Sequence, residues 1–131
     1  MHDPNATCKD AVFRLDEAEI LARLDGDCQL LAELCDMALT EIPRMIETLA
    51  EAVRVEDANA VHRSAHRLKG SLSIFGAGPH IEISQALEDM ALNRDLLRAP
   101  EVFGRLEIHL LKFTAAVAAL GKESHARANR R

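Results

Sequence analysis

From residue 103 to residue 120 the large apolar side chains fall at Phe103, Leu106, Leu110, Phe113, Val117 and Leu120, in steps of three and four without a miss. That spacing puts all six on one side of an α-helix. A strand, whose side chains alternate with period two, cannot gather them on one face. A helix striped in this way must bury the stripe against other secondary structure. Three further segments carry the same period: Leu31, Leu34, Ala38, Ile42, Met45, Leu49 and Ala52; Val61, Ala65, Leu68, Leu72 and Phe75; and Ile83, Ala86, Leu87 and Met90. No segment reads as a strand, and there is no internal repeat. The composition agrees. Apolar residues make up 48% of the chain but aromatic ones only 3%, with no Trp or Tyr. A core of Leu, Ile, Val, Ala and Met suits packed helices better than a sheet. With 131 residues the chain is sized for one domain with its own core. The expected fold is all-α, an up-and-down antiparallel four-helix bundle with a short additional N-terminal helix across one end.

Local signals divide the chain. Asp16 followed by Glu19 is a capping pattern for the short first helix, and "DGD" at 25–27 turns the chain out of it. Pro43 interrupts the second stripe and should bend or split that helix. Asp57 is an N-cap for the next. "GAGP" at 76–79 closes that helix, and Pro79 opens another running to about residue 94. "AP" at 99–100 opens the last, with Gly121 as its expected C-terminal cap. Residues 1–10 form a polar arm, 11–121 the bundle, and 122–131 a basic tail expected to be mobile. The initial Met and loose polar end favour a free-standing protein.

A formal net charge of −5 argues against nucleic-acid binding. No apolar run approaches 18 residues, so no membrane span is expected, and "MHDPNATCKD" lacks the layout of a secretory signal. Cys8, Cys28 and Cys35 are an odd count without a CxxC pair. Cys28 and Cys35, seven apart on one face of a helix, read as small core hydrophobes, and a reducing cytoplasm fits the set.

Chemistry concentrates in "AHRLKGSLSIFGA", residues 65–77. A glycine inside a helix costs about 1 kcal/mol relative to alanine, yet Gly70 stands one turn after His66. On a helical wheel the apolar stripe of this segment lies well away from His66, which therefore faces solvent or its border. Residues three and four away share its surface: His62, Arg63, Lys69 and Gly70, with Ser73 two turns along. Gly70 leaves the surface beside the imidazole bare, open to another protein's backbone. Lys69, Arg63 and Arg67 make the patch cationic. The pattern suits an exposed imidazole that carries something anionic. Two plainer readings stay open at this point: a surface histidine with no role, and a glycine that marks close helix packing.

"HRLKGSLSIFGA" resembles the His-x-Leu-Lys-Gly-Ser…Gly-Ala signature of histidine-containing phosphotransfer (HPt) domains of two-component phosphorelays. "RLDGDCQLLAEL", the Pro in the second long helix and "ALEDMALNRDL" extend the resemblance over roughly residues 12 to 120. It implies a four-helix bundle, a phosphorylated His66, Lys69 as the phosphate-facing cation and Gly70 as the docking gap. His62, Arg63, Arg67, Ser73 and Ile74 would complete the partner-binding surface. The family often places a polar residue, commonly Gln, on the next helix, bonded to the histidine. Here the hairpin register points to Glu88, with Gln85 one turn nearer the loop; a carboxylate there would orient the ring and raise its basicity.

The resemblance also implies a phosphoryl carrier rather than a self-sufficient enzyme. Neutral imidazole is a competent acceptor near pH 7, and phosphoryl transfer depends chiefly on in-line positioning and charge neutralisation. No intrinsic cofactor is expected. Mg²⁺ and the phosphoacceptor Asp would come from a response-regulator receiver domain, upstream of which stands a sensor or hybrid histidine kinase. The chain itself is expected to be a cytoplasmic monomer. A bundle that binds receivers without transfer is the alternative. A third reading, a metal site at His62 and His66, has the i, i+4 spacing but no third ligand and no HExxH glutamate. His2, His80, His109 and His125 have no comparable setting, and the basic tail reads as a solvated terminus.

Overall fold

The computed structural model describes residues 15–130. It is all-α: α1 (Glu17–Arg23), α2 (Cys28–Arg54), α3 (Ala58–Ser73), α4 (Pro79–Leu92) and α5 (Ala99–Asn129), with no strand among the described residues. Helices α1, α2 and α3 begin at an aspartate whose Oδ1 accepts a backbone N–H three residues on. Asp16 accepts from Glu19 at 3.0 Å, Asp27 from Leu30 at 2.9 Å and Asp57 from Ala60 at 3.1 Å. Each satisfies a donor that the first turn leaves without an intrahelical acceptor.

Helices α2 to α5 pack in chain order, and α5 closes the ring against α2. Short connections force neighbours to run antiparallel. The last-helix stripe is buried throughout: Phe103, Leu106, Leu110, Phe113, Val117 and Leu120 all belong to the core. Phe113 meets Phe75 edge-on at 5.7 Å between ring centroids, and His80 at 4.9 Å. Helix α1 lies at the end where α3 and α5 finish. Its Ile20 is buried, Arg23 Nη2 donates to the carbonyl of Ile74 at 3.2 Å, and Glu17 pairs with Arg127 at 2.7 Å.

Three local expectations are corrected. Pro43 does not split α2, which is one helix of 27 residues. The proline lies on the exposed face, so the carbonyl one turn back that loses its N–H partner can turn to water. Gly121 is not a C-terminal cap. It lies inside α5, and a Cβ there would come within 2.9 Å of the Cβ of Cys35. Glycine permits a close α2–α5 approach at this point. Nor does a loose tail begin at residue 122: α5 runs on to Asn129, with Ser124 buried, His125 against Asp36 at 3.0 Å and Arg127 bridging Glu17 and Glu123. Those partners come from α1, α2 and the preceding turn of α5, none of which the tail's own composition reveals. Helix α4 ends at Leu92 with Asn93 as its cap.

Cys28 and Cys35 are both free thiols. Burial, reinforced by the neighbouring Asp36 charge, pushes the Cys35 thiol up to about 11, as befits a packed, unreactive cysteine. Cys8 and the N-terminal arm lie outside the described residues.

Candidate functional site

The site is built across the α3–α4 hairpin. His66 occupies the middle of α3, off the stripe of Val61, Ala65, Leu68 and Leu72 that faces the core, and its side chain is 66% exposed. Opposite stands Glu88 on α4, with only 6% of its side chain exposed. One carboxylate oxygen lies 2.5 Å from His66 Nδ1, and the other accepts from Lys69 Nζ at 2.8 Å. Lys69 Nζ also donates to Gln85 Oε1 at 2.6 Å, and Gln85 Nε2 donates to Asp89 Oδ1 at 2.9 Å. The four residues picked out for the chemistry, His66, Lys69, Gln85 and Glu88, thus form one connected network.

Burial works to raise the carboxyl pKa of Glu88, but hydrogen bonds from Lys69 and His66, aided by their charges, outweigh it and hold the group below the usual value. An ionised carboxylate only accepts hydrogen bonds. His66 Nδ1 must therefore carry the hydrogen, so that in the neutral ring the lone pair lies on Nε2. Lys69 departs from expectation. It is not an outward-facing cation: its side chain is 22% exposed and its ammonium is lodged on Glu88 and Gln85. A buried carboxylate recruits the nearest cation, because an unpaired charge there is costly.

Gly70 is exposed, and a Cβ built on it would meet nothing within 4 Å. The helix therefore gains no packing from the glycine, and the surface beside His66 is open. Ser73 donates its hydroxyl to the carbonyl of Lys69 at 2.7 Å, and Ile74 is 45% exposed. Arg63 and Arg67 are not part of the network. They line a groove on the α2 side of α3, with Thr48 and Ser64. The His62 ring lies parallel to that of His66, 5° between planes and 6.3 Å between centroids. Parallel rings do not aim their nitrogens at a common point, and no group of three or more His, Cys, Asp or Glu suited to a metal occurs among the described residues. Asp89 was not singled out by the sequence reading, although its i, i+4 spacing from Gln85 is the available signal.

A family model described as the Hpt domain matches residues 33–121. The fold is similar to the crystal structure of histidine-containing phosphotransfer protein B (HptB) from Pseudomonas aeruginosa PAO1. The two share 25% sequence identity and superpose with a TM-score of 0.70, covering 86% of this chain and 96% of that one. No curated protein sequence matches the chain.

Proposed function

The chain belongs to the Hpt domain family, and on that footing we propose that it is a phosphoryl carrier, accepting the group on His66 from, or passing it to, an aspartate of a response-regulator receiver domain. The observation that carries the reading is the tethered imidazole: Nδ1 is held by buried Glu88 while the opposite edge of the ring is open to solvent. Nε2 is then the nucleophile. Its lone pair attacks the phosphorus of the receiver's aspartyl phosphate in line, the Asp carboxylate leaves, and the P–N bond replaces the P–O bond. Transfer back to an Asp reverses both events. Glu88 keeps the ring from turning and fixes its tautomer, the task of a carboxylate behind a reacting histidine. Lys69 keeps Glu88 ionised and adds a fixed positive charge beside the phosphoryl group. Gly70, with Ser73 and Ile74 further along the same helix, gives the partner a surface it can approach closely; Arg63 and Arg67 extend that surface toward α2.

Mg²⁺ is assigned to the partner, since both oxygens of the carboxylate at His66 are already taken by His66 and Lys69. The upstream donor is a sensor or hybrid histidine kinase, and the chain acts as a cytoplasmic monomer. No helix among the described residues is long and apolar enough to cross a membrane. Incubation with a phosphorylated receiver, followed by site mapping, tests the reading. The expected adduct is acid-labile and alkali-stable, on His66 alone, and absent from His66→Gln. Label persisting in that variant would overturn the assignment. Receiver binding without any label would favour a pure docking module.

A further inference from the structure

The resting site is close to electrically balanced without a phosphoryl group: Glu88 contributes one negative charge and Lys69 one positive. A phosphoryl group adds up to about two negative charges near neutral pH. Lys69 has one N–H left to offer it, because two are spent on Glu88 and Gln85, and its charge is already matched by the buried carboxylate. His62 is differently placed. Its ring stacks over His66 at 6.3 Å and makes no hydrogen bond or ion pair with the described residues. It is half-buried, and so reachable by solvent protons.

One cation lies on the side of the preceding turn: Arg94 lines a groove with Ala58 and Asn59, and His62 is not among that groove's residues. On α3 its neighbours are Ala58, Asn59 and His66, with Arg63 turned toward the α2 groove. In the antiparallel α3–α4 register, four residues back from His66 stands opposite four residues on from Glu88. That position is Leu92, exposed and uncharged, with Asp89 and Asp95 three residues to either side of it in sequence. The groove on the other side of α3, whose charged residues are Glu41, Arg44, Glu47, Glu51, Arg63 and Arg67, does not include His62.

Building on the carrier reading, we propose that His62 is the proton-dependent cation of the phosphorylated state. When the phosphoryl group arrives on His66 Nε2, the His62 imidazole takes up one proton from solvent, and the resulting imidazolium pairs with the phosphoryl oxygens. An opposite charge within about 4–6 Å favours the charged form of a titrating group. By linkage, proton and phosphoryl group then strengthen each other's binding. His62 is a positioning residue for the product, not the acceptor.

The test is an NMR titration of the His62 ring in the full chain, before and after phosphorylation with phosphoramidate, the extent of His66 labelling being read by mass spectrometry. The His62 pKa should rise on phosphorylation by about one unit, a tenfold gain in proton affinity. The ³¹P titration of phospho-His66, which includes the phosphoryl group's own second ionisation, should move in His62→Gln, and in His62→Lys it should lose the step at the His62 pKa. An unchanged His62 pKa on fully labelled protein would overturn this inference and leave the carrier reading standing, as would a ³¹P titration identical in wild type and His62→Gln. Failure of any phosphate to reach His66 would overturn both.

Discussion

Two glycines show how much one side chain's surroundings decide. Gly70 and Gly121 both lie inside helices, where alanine is intrinsically better by about 1 kcal/mol. At Gly70 nothing occupies the space a Cβ would take. Gly70→Ala should therefore raise stability by about 0.5–1 kcal/mol. Gly70→Gln should keep helicity and melting temperature yet slow transfer from a phosphorylated receiver about tenfold, a barrier change near 1.4 kcal/mol. Labelling of His66 by a small phosphodonor, which needs no docking surface, should suffer much less. Equal loss with both donors would show that the glycine serves the histidine's own geometry. Lys69 poses the converse case. Because it is lodged against a buried carboxylate, Lys69→Ala should lower stability by about 1–3 kcal/mol as well as slowing transfer, and Glu88 should titrate at higher pH. Circular dichroism melts and single-turnover transfer on the same preparation check this; an unchanged melt would mean that Lys69 is not the partner Glu88 depends on.

His80 is the other residue whose setting sets a measurable property. It is 1% exposed, packed on Phe113 and pressed against Gly78, where a Cβ would lie 2.6 Å from the imidazole Cε1. Burial, with a smaller contribution from the charge of His109 and against an opposing hydrogen bond to the Gly76 backbone, lowers its pKa to about 4. The unfolded chain takes up this proton near pH 6.5, whereas the folded chain resists it down to about pH 4. Stability from this group is thus complete above the unfolded pKa and falls as the pH drops through that window. Glu88, whose folded pKa is depressed, loses its contribution only at more acid pH. Urea midpoints measured between pH 7 and pH 4 should fall in the wild type and stay flatter in His80→Gln. Parallel curves would assign the acid sensitivity elsewhere.

Among the elements, α5 carries the clearest division between pattern and contact. Its stripe from Phe103 to Leu120 is periodic enough to predict a buried helix, and it is buried. Where that helix stops is another matter. Gly121 has the look of a terminator, but its position is set by the neighbouring helix: the Cβ of Cys35 is joined directly to the α2 backbone and cannot swing aside. Gly121→Ala should push α2 and α5 apart locally and destabilise the protein by about 1–3 kcal/mol. The same substitution at Gly70 works in the opposite direction, so thermal melts of the two alanine variants compare a packing glycine with an access glycine. If Gly121→Ala is neutral, the close approach is softer than the backbone geometry implies.

At the scale of the whole molecule, the last turns of α5 fasten the short α1 to the end of the bundle. Arg127 reaches Glu17, and Ser124 is buried. Ending the chain after Gly121 should lower the melting temperature and speed amide exchange at Ile20, because α1 loses its anchor. The His66–Glu88 pair, held within the α3–α4 hairpin, should survive, and with it labelling by a small phosphodonor. Protection at Ile20 unaffected by the truncation would show that the core alone holds α1.

The sequence by itself determined the helical class, the order of the helices, the caps at Asp16 and Asp57, and the face of α3 on which His66 lies. These follow from local periodicity and local hydrogen bonds, which a one-dimensional pattern contains. Hairpin register even reached Glu88, because antiparallel helices joined by a short turn bring predictable positions together. Tertiary structure alone decided the rest: that Lys69 belongs to Glu88 and Gln85 rather than to solvent, that Gly121 is a contact and not an end, that residues 122–129 continue the last helix, and that Pro43 does not split its helix. Each depends on which side chains of other elements, or which water-facing side of the helix, the residue meets, and neighbours far apart in sequence are set by packing rather than by spacing.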